Sequence, residues 1–154
     1  QAPDDHRTFF ALNEAALTHG DSGRVVDLQL HINGKPMTEV TGDGYVIASA
    51  TGSTAYALSA GGPVISPDFK GLEAIPLAPH SLRTRALVTG FNDVVELRVM
   101  NSPAAQQAAL FCDGVEAQFG APVSRIVVRR GAEPTILLRR PGNDFYTRAQ
   151  HTFL

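Results

Sequence analysis

At 154 residues, 44% of them hydrophobic, the chain is of a size to bury one hydrophobic core. A net charge of -2 leaves no basic footprint for nucleic acid, and no apolar run approaches the ~18 residues that a membrane span needs. The single cysteine, Cys112, excludes an intrachain disulfide and a cysteine-rich zinc site; its apolar setting reads as core, and it fits a reducing, cytoplasmic compartment.

In chain order, FFALNEAAL (residues 9–17) carries an apolar pattern that a helix and a strand can both claim. VVDLQLHI (25–32) alternates Val26, Leu28, Leu30 and Ile32 with Asp27, Gln29 and His31, the period of a half-buried strand, and meets Asn33-Gly34, a two-residue hairpin signal. YVIASA (45–50), VVELRV (94–99), AALFC (108–112), VEAQF (115–119), SRIVVRR (124–130) and TILLRR (135–140) read as further short strands. Asp113-Gly114 turns AALFC into VEAQF, and the pairs Arg129-Arg130 and Arg139-Arg140 read as solvated strand ends. The clearest helix is STAYALSAGG (53–62): Thr51 or Ser53 can cap it, Gly61 or Gly62 can take the left-handed position after it, and Pro63 stops it. The tail PGNDFYTRAQHTFL (141–154) leaves the strand pattern and reads as a loop leading into a short helix. The expected fold is mainly β, an antiparallel multi-stranded sandwich-like domain over residues 1–140 with one or two short helices, followed by a tail over 141–154.

The stretch GDGYVIASATGSTAYALSAGGPVISP (42–67) sets Gly, Ser and Thr between a strand and a helix. A dinucleotide fingerprint fails on context, because GDGYVI leads into a strand. A Walker loop needs Gly-Lys-Ser/Thr, which neither Lys35 nor Lys70 supplies, and a nucleophile elbow fails because Ala55 stands where its second glycine belongs. His6, His19, His31, His80 and His151 show no metal-ligand spacing, so no metal site is expected. What remains is a strand, the turn TGST and a helix start whose N–H groups and small hydroxyls meet a polar ligand closely. Thr51, Ser53 and Thr54 donate and accept, which suits the mixed edge of a nucleobase, and Tyr56 offers a flat face with a polar tip. The same residues have plain structural uses: capping for Thr51 and Ser53, core packing for Tyr56, back-bonding within the helix for Ser59.

DGYVIASATGSTAYALSAGGPVISP resembles the signature of NAD kinases, a Gly-Asp-Gly followed by a strand, Thr-Pro-Thr-Gly-Ser-Thr-Ala-Tyr and Ser-x-Gly-Gly-Pro. ALNEAALTHGDSGRVVDLQLHINGK is similar to the family's Asn-Glu segment and the strand after it, and IPLAPHSLRTRALV to its Pro-His-x-Leu-x-x-Arg-Pro-Leu-Val. The resemblance runs over roughly residues 10–120, in order and with family-like spacing, and three segments in register are more specific than any one glycine pattern. Ala50 and Ala86 stand where the family has Pro, which costs stiffness more than chemistry. The family's Gly-Gly-Asp-Gly segment belongs to an N-terminal α/β domain and carries the aspartate that acts on the ribose hydroxyl; it has no match here, Gly42-Asp43-Gly44 being the later Gly-Asp-Gly.

The resemblance implies the C-terminal, NAD-binding domain of an NAD kinase, inactive alone, whose tail returns to the N-terminal domain. In the complete enzyme the γ-phosphoryl group of ATP, with Mg²⁺, or of inorganic polyphosphate passes to the 2′-hydroxyl of the adenosine ribose of NAD, giving NADP. For this chain it implies acceptor positioning, with no catalytic residue. Asn13 and Glu14 are implied to contact the dinucleotide near its ribose and phosphate, Thr51, Thr54, Ala55 and Tyr56 to form the base-binding loop, and Ser59 to lie just beyond. Asp43 is implied to reach the nicotinamide half, and Ala78, beside His80, to lie on a segment lining a pocket shared between subunits. His80 alone reads equally as structural. A homodimer or homotetramer is expected, with no nucleic-acid or membrane partner. Two other readings stay open: a related kinase acting on a lipid or diphosphosugar, which would not need TGSTAY since a lipid acceptor wants an apolar slot, and a non-catalytic nucleotide-binding module.

Overall fold

The structure, a computed structural model, describes residues 7–20, 25–100, 108–138 and 144–153. Among these residues the strands are β1 (Glu14–His19), β2 (Val26–Ile32), β3 (Lys35–Gly42), β4 (Gly44–Ser49), β5 (Leu72–Leu77), β6 (Leu87–Val88), β7 (Val95–Val99), β8 (Ala108–Cys112), β9 (Val115–Glu116) and β10 (Arg125–Val128). They pair antiparallel into a six-stranded sheet, order β6-β5-β4-β1-β8-β9, and a four-stranded sheet, order β10-β7-β2-β3. The expected antiparallel, sandwich-like architecture is what the chain builds.

Period-two alternation aims Leu28 and Leu30 of β2, and Val95 and Leu97 of β7, at Leu17 of β1, Tyr45 and Ile47 of β4, and Ala74 of β5. Each large aliphatic side chain removed from water there contributes roughly 1.5–3 kcal/mol before entropy is charged against it. The six-stranded sheet is apolar on its other face too: Ala16, Val46, Ala48, Ile75 and Leu77 pack with Ala57, from the helix α1 (Tyr56–Ser59) that covers them. A strand covered on both faces has no polar side, so β4 is buried from Gly44 to Ala48. Burial also leaves the Tyr45 hydroxyl without a partner and pushes it up to about 12.

Both hairpin signals form turns with positive φ at both central residues, Asn33 (52°) with Gly34 (77°) and Asp113 (49°) with Gly114 (77°). The ambiguous segment 9–17 is strand from Glu14 onward, because β1 sits between β4 and β8. The helix expected over 53–62 is instead a single 3-10 turn (Gly52–Thr54) and the four-residue α1, broken at Ala55 (φ -103°, ψ -128°). Capping by Thr51 or Ser53 is also corrected. Thr51 is itself helical (φ -64°, ψ -43°), while the buried Ser53 hydroxyl donates to the Ala50 carbonyl at 2.8 Å and accepts the Ile65 N–H at 3.0 Å, tying the turn to the chain that returns past α1. Gly61 (φ 87°) ends α1 in the left-handed conformation.

TILLRR does not form the expected strand: residues 135–138 are exposed and irregular, and Arg139 and Arg140 lie outside the described residues. VEAQF is strand only at Val115–Glu116, although the Ala117 N–H still bonds the Leu110 carbonyl at 2.8 Å. Cys112 is half-buried, packed against the core rather than within it. The tail carries helix α2 (Phe145–Phe153), started by Asp144, whose carboxylate accepts the Thr147 N–H at 3.0 Å and hydroxyl at 2.6 Å.

Candidate functional site

Three segments meet where β4 ends: residues 12–14 entering β1, residues 49–56 leaving β4, and the tip of the β8–β9 hairpin. Ser49 stitches the first two, its N–H bonding the Asn13 carbonyl at 2.9 Å and its hydroxyl the Leu12 carbonyl at 2.7 Å. The same hydroxyl accepts the Gly52 N–H at 3.1 Å. Gly52 then lies flat on Asn13, where a Cβ would stand 2.1 Å from the Asn13 carbonyl oxygen, so no other residue fits without moving that backbone. From the hairpin tip, Asp113 accepts the N–H groups of Leu12 (2.6 Å), Asn13 (2.7 Å) and Glu14 (3.1 Å) and returns its own N–H to the Glu14 carbonyl at 3.0 Å.

Glu14 is 8% exposed and one of its oxygens, Oε2, has no partner. Burial foremost, and then the charge of Asp113, raise its carboxyl above the ordinary range, against the pull of the Tyr56 N–H. Asp113 is moved the other way: burial opposes its charge, but the three N–H groups outweigh burial and hold it low. The two carboxyls are thus driven apart by environment.

Thr51, Thr54 and Ala55 are half-buried around this point, with the Thr54 hydroxyl 3.4 Å from the Thr51 carbonyl. Tyr56 is 44% exposed, so it is not a core residue, and Ser59 is exposed at the end of α1. Asn13, Glu14, Thr51, Thr54, Ala55 and Tyr56 therefore gather at one end of β4 around backbone polar groups and hydroxyls.

Asp43 and Ala78 are not with them. Asp43 precedes β4, its N–H on the Leu77 carbonyl (2.9 Å), its carbonyl on the His19 N–H (3.0 Å) and its half-exposed carboxylate 3.9 Å from His19 Nε2. Gly44 (φ 151°) makes this approach available, since a Cβ would come within 2.2 Å of the Leu17 carbonyl. Ala78 follows β5 at the same end, exposed and left-handed (φ 41°), and the neighbouring His80 N–H bonds the Thr41 carbonyl at 2.9 Å. The length of β4, roughly 17 Å at ~3.3 Å per residue, separates this pair from the Asn13–Tyr56 group within one copy. Among the described residues no group of three or more His, Cys, Asp or Glu is placed to hold a metal ion.

Ser49 and Asp113 were invisible to sequence reasoning as site-builders: one reads as a strand residue and the other as a turn former. Aspartate in place of asparagine at a turn is the only signal either gives.

The geometry has counterparts. Residues 12–139 match the family model of the ATP-NAD kinase C-terminal domain. NAD kinase 2 of Streptomyces coelicolor is 40% identical over 132 residues, and NAD kinase 2 of Streptomyces avermitilis 44% over 135, each covering 86% of this chain and 43% of the relative. Yeast NADH kinase complexed with NADH superposes with a TM-score of 0.69 at 31% identity, covering 76% of this chain and 33% of its own. An NAD kinase from Archaeoglobus fulgidus in complex with ATP gives 0.70 at 28%, covering 79% and 46%. The chain thus spans less than half the length of these relatives. With the match covering residues 12–139, the chain belongs to the ATP-NAD kinase family and carries that family's C-terminal domain.

Proposed function

We propose that this chain is the acceptor-positioning part of an NAD kinase, holding NAD so that the 2′-hydroxyl of its adenosine ribose receives the γ-phosphoryl group of ATP or of polyphosphate. The observation that carries the reading is the seating of Gly52 on the Asn13 backbone, which sets the loop from Thr51 to Tyr56 beside Asn13 and Glu14. In this arrangement the Thr51 and Thr54 hydroxyls and the Ala55 backbone meet the base edge, the exposed Tyr56 ring offers it a face, and Ser59 lies one turn on. Asn13 and Glu14 serve the ribose and phosphates. Such transfer is mostly positioning and charge stabilisation, so an acceptor domain contributes by fixing geometry.

Asp43 and Ala78 serve the nicotinamide half. Their distance from the loop in one copy suits a pocket shared between copies, Asp43 and Ala78 of one facing the loop of another, and hence a homodimer or homotetramer. Mg²⁺ accompanies ATP and neutralises phosphate charge; among the described residues no group of three or more His, Cys, Asp or Glu gathers to hold it, and none of the steps assigned here passes through it. No helix among the described residues is long and apolar enough to cross a membrane. The polar lining of the loop favours a nucleotide over a lipid acceptor. Calorimetry of the chain with NAD, NADP and phospholipid vesicles tests the reading: dinucleotide binding without lipid binding is expected, and the reverse would overturn it.

A further inference from the structure

We propose that Asp113 is a positioning residue of the dinucleotide site: from the tip of the β8–β9 hairpin its carboxylate clasps the backbone of Leu12, Asn13 and Glu14 and so fixes where Asn13 and Glu14 face the Thr51–Tyr56 loop. The functional half of this inference rests on the dinucleotide reading above.

Three successive N–H groups converging on one anion form the concavity with which backbone ordinarily binds phosphate or another external anion. Here the anion is the chain's own, from 99 to 101 residues away. The turn alone does not ask for it. Asn33-Gly34 forms the same turn, with φ of 52° and 77° against 49° and 77°, so an amide side chain satisfies the hairpin. A carboxylate differs in offering two acceptor atoms: Oδ2 takes Leu12, and Oδ1 takes both Asn13 and Glu14. An amide would set an NH₂ against one of these donors.

The clasp passes its geometry on. With its N–H held by Asp113, Asn13 turns its carbonyl to the Ser49 N–H and into contact with Gly52, so one carboxylate, one serine and one glycine fix the loop relative to Asn13. Charge is passed on as well. The groups acting on Glu14 are Asp113, which discourages its ionisation as burial does, and the Tyr56 N–H, which favours it; the neighbouring Cys112 thiol, itself pushed up by burial and by Asp113, stays neutral. Glu14 is thereby held above the ordinary carboxyl range, with its Oε2 buried and unpartnered.

Asp113→Asn, which preserves the turn, is the test, read in the 154-residue chain by NMR and calorimetry. Exchange of the Leu12 amide should accelerate by about tenfold or more while Ala16 and Leu17, paired with β4 and β8, keep their protection. The Glu14 carboxyl should titrate at lower pH, because the substitution removes the Asp113 charge that raises it. NAD should bind on the order of tenfold more weakly. Unchanged exchange and an unmoved Glu14 titration overturn the proposal. Accelerated exchange and a shifted Glu14 in a chain that binds NAD neither before nor after substitution overturn the dinucleotide reading and leave the clasp standing. Should the variant fail to fold, the wild type decides: on acidification the Leu12, Asn13 and Glu14 amide shifts must follow one midpoint, that of Asp113, and separate midpoints refute the clasp.

Discussion

At Asp43 the backbone and side chain have separate duties. The backbone closes the approach between β1 and β5 through His19 and Leu77, while the carboxylate reaches only His19 Nε2, at 3.9 Å, and is otherwise open to solvent. Asp43→Asn should therefore leave the melting temperature unchanged and weaken NAD binding roughly ten- to a hundredfold, the loss of one hydrogen bond to a charged group. Calorimetry beside a thermal melt checks both; unchanged affinity would make Asp43 a turn residue only. Tyr56 separates in the same way. Its ring is 44% exposed, so Tyr56→Leu should alter stability by less than about 0.5 kcal/mol, as surface changes do, while NAD affinity falls with the lost aromatic face. A loss of stability with affinity intact would show a packing role instead. Neither distinction can be drawn from residue type, because Asp in a Gly-flanked turn and Tyr in a short helix have both uses; exposure decides.

Among the elements, β5 holds a second buried carboxyl with no assigned role. Glu73 is 0% exposed, neither oxygen has a hydrogen-bond partner, and Oε2 lies 3.2 Å from where a Cβ on Gly62 would sit, under the end of α1. Burial pushes its carboxyl up from 4.5 to about 7, and no other cause acts on it. The raised value fixes the sign: below 4.5 the group is neutral folded or unfolded, and from there to about 7 only the unfolded chain releases the proton, so stability falls as pH rises through that window. The loss is on the order of 3 kcal/mol. Glu73→Gln, neutral throughout, should match the wild type at pH 5 within about 1 kcal/mol and be the more stable protein at pH 8. Urea melts at the two pH values check this, and parallel wild-type and variant profiles would refute it.

The alternation of β2 and the two hairpin signals were legible because one face of each strand meets the core and the turns need unusual φ. β3 and β5 were not. β3 is an edge strand with exposed Lys35, Pro36 and Met37, and β5 is buried on both faces and contains Pro76, which is tolerated because the two-residue β6 reaches only Glu73 and Ala74. The helix expected over 53–62 does not form as one piece because Ser53 bonds to Ile65, a tertiary partner that no local pattern announces. Of the site, the Asn13–Glu14 and Thr51–Tyr56 segments carry a family motif, whereas Asp113, which holds the first of them, shows in the sequence only as a turn residue.

On the scale of the whole molecule, the proposed reading gives this chain the acceptor's place and leaves the donor's to the rest of a protein of which it spans less than half. Catalysis needs an acid or base within hydrogen-bond reach of the 2′-hydroxyl and a cradle for the donor phosphates. Asp43, with its half-exposed carboxylate, stands the length of β4 from the Asn13–Tyr56 group. The 154-residue chain by itself should bind NAD and not phosphorylate it. Incubation with NAD, ATP and Mg²⁺ and measurement of NADP is the check, and turnover that Asp43→Asn abolishes would make Asp43 the base. The clasp also orders events in time. Every residue of the base loop has been synthesised by Tyr56, but the Leu12 and Asn13 amides wait for a carboxylate 101 and 100 positions downstream. At ~5–20 residues per second, the 57 residues from Tyr56 to Asp113 leave a nascent chain on the order of 3–11 s with its loop made and its support absent. On the proposed reading, NAD present during translation meets a loop that lacks its support until the β8–β9 hairpin arrives.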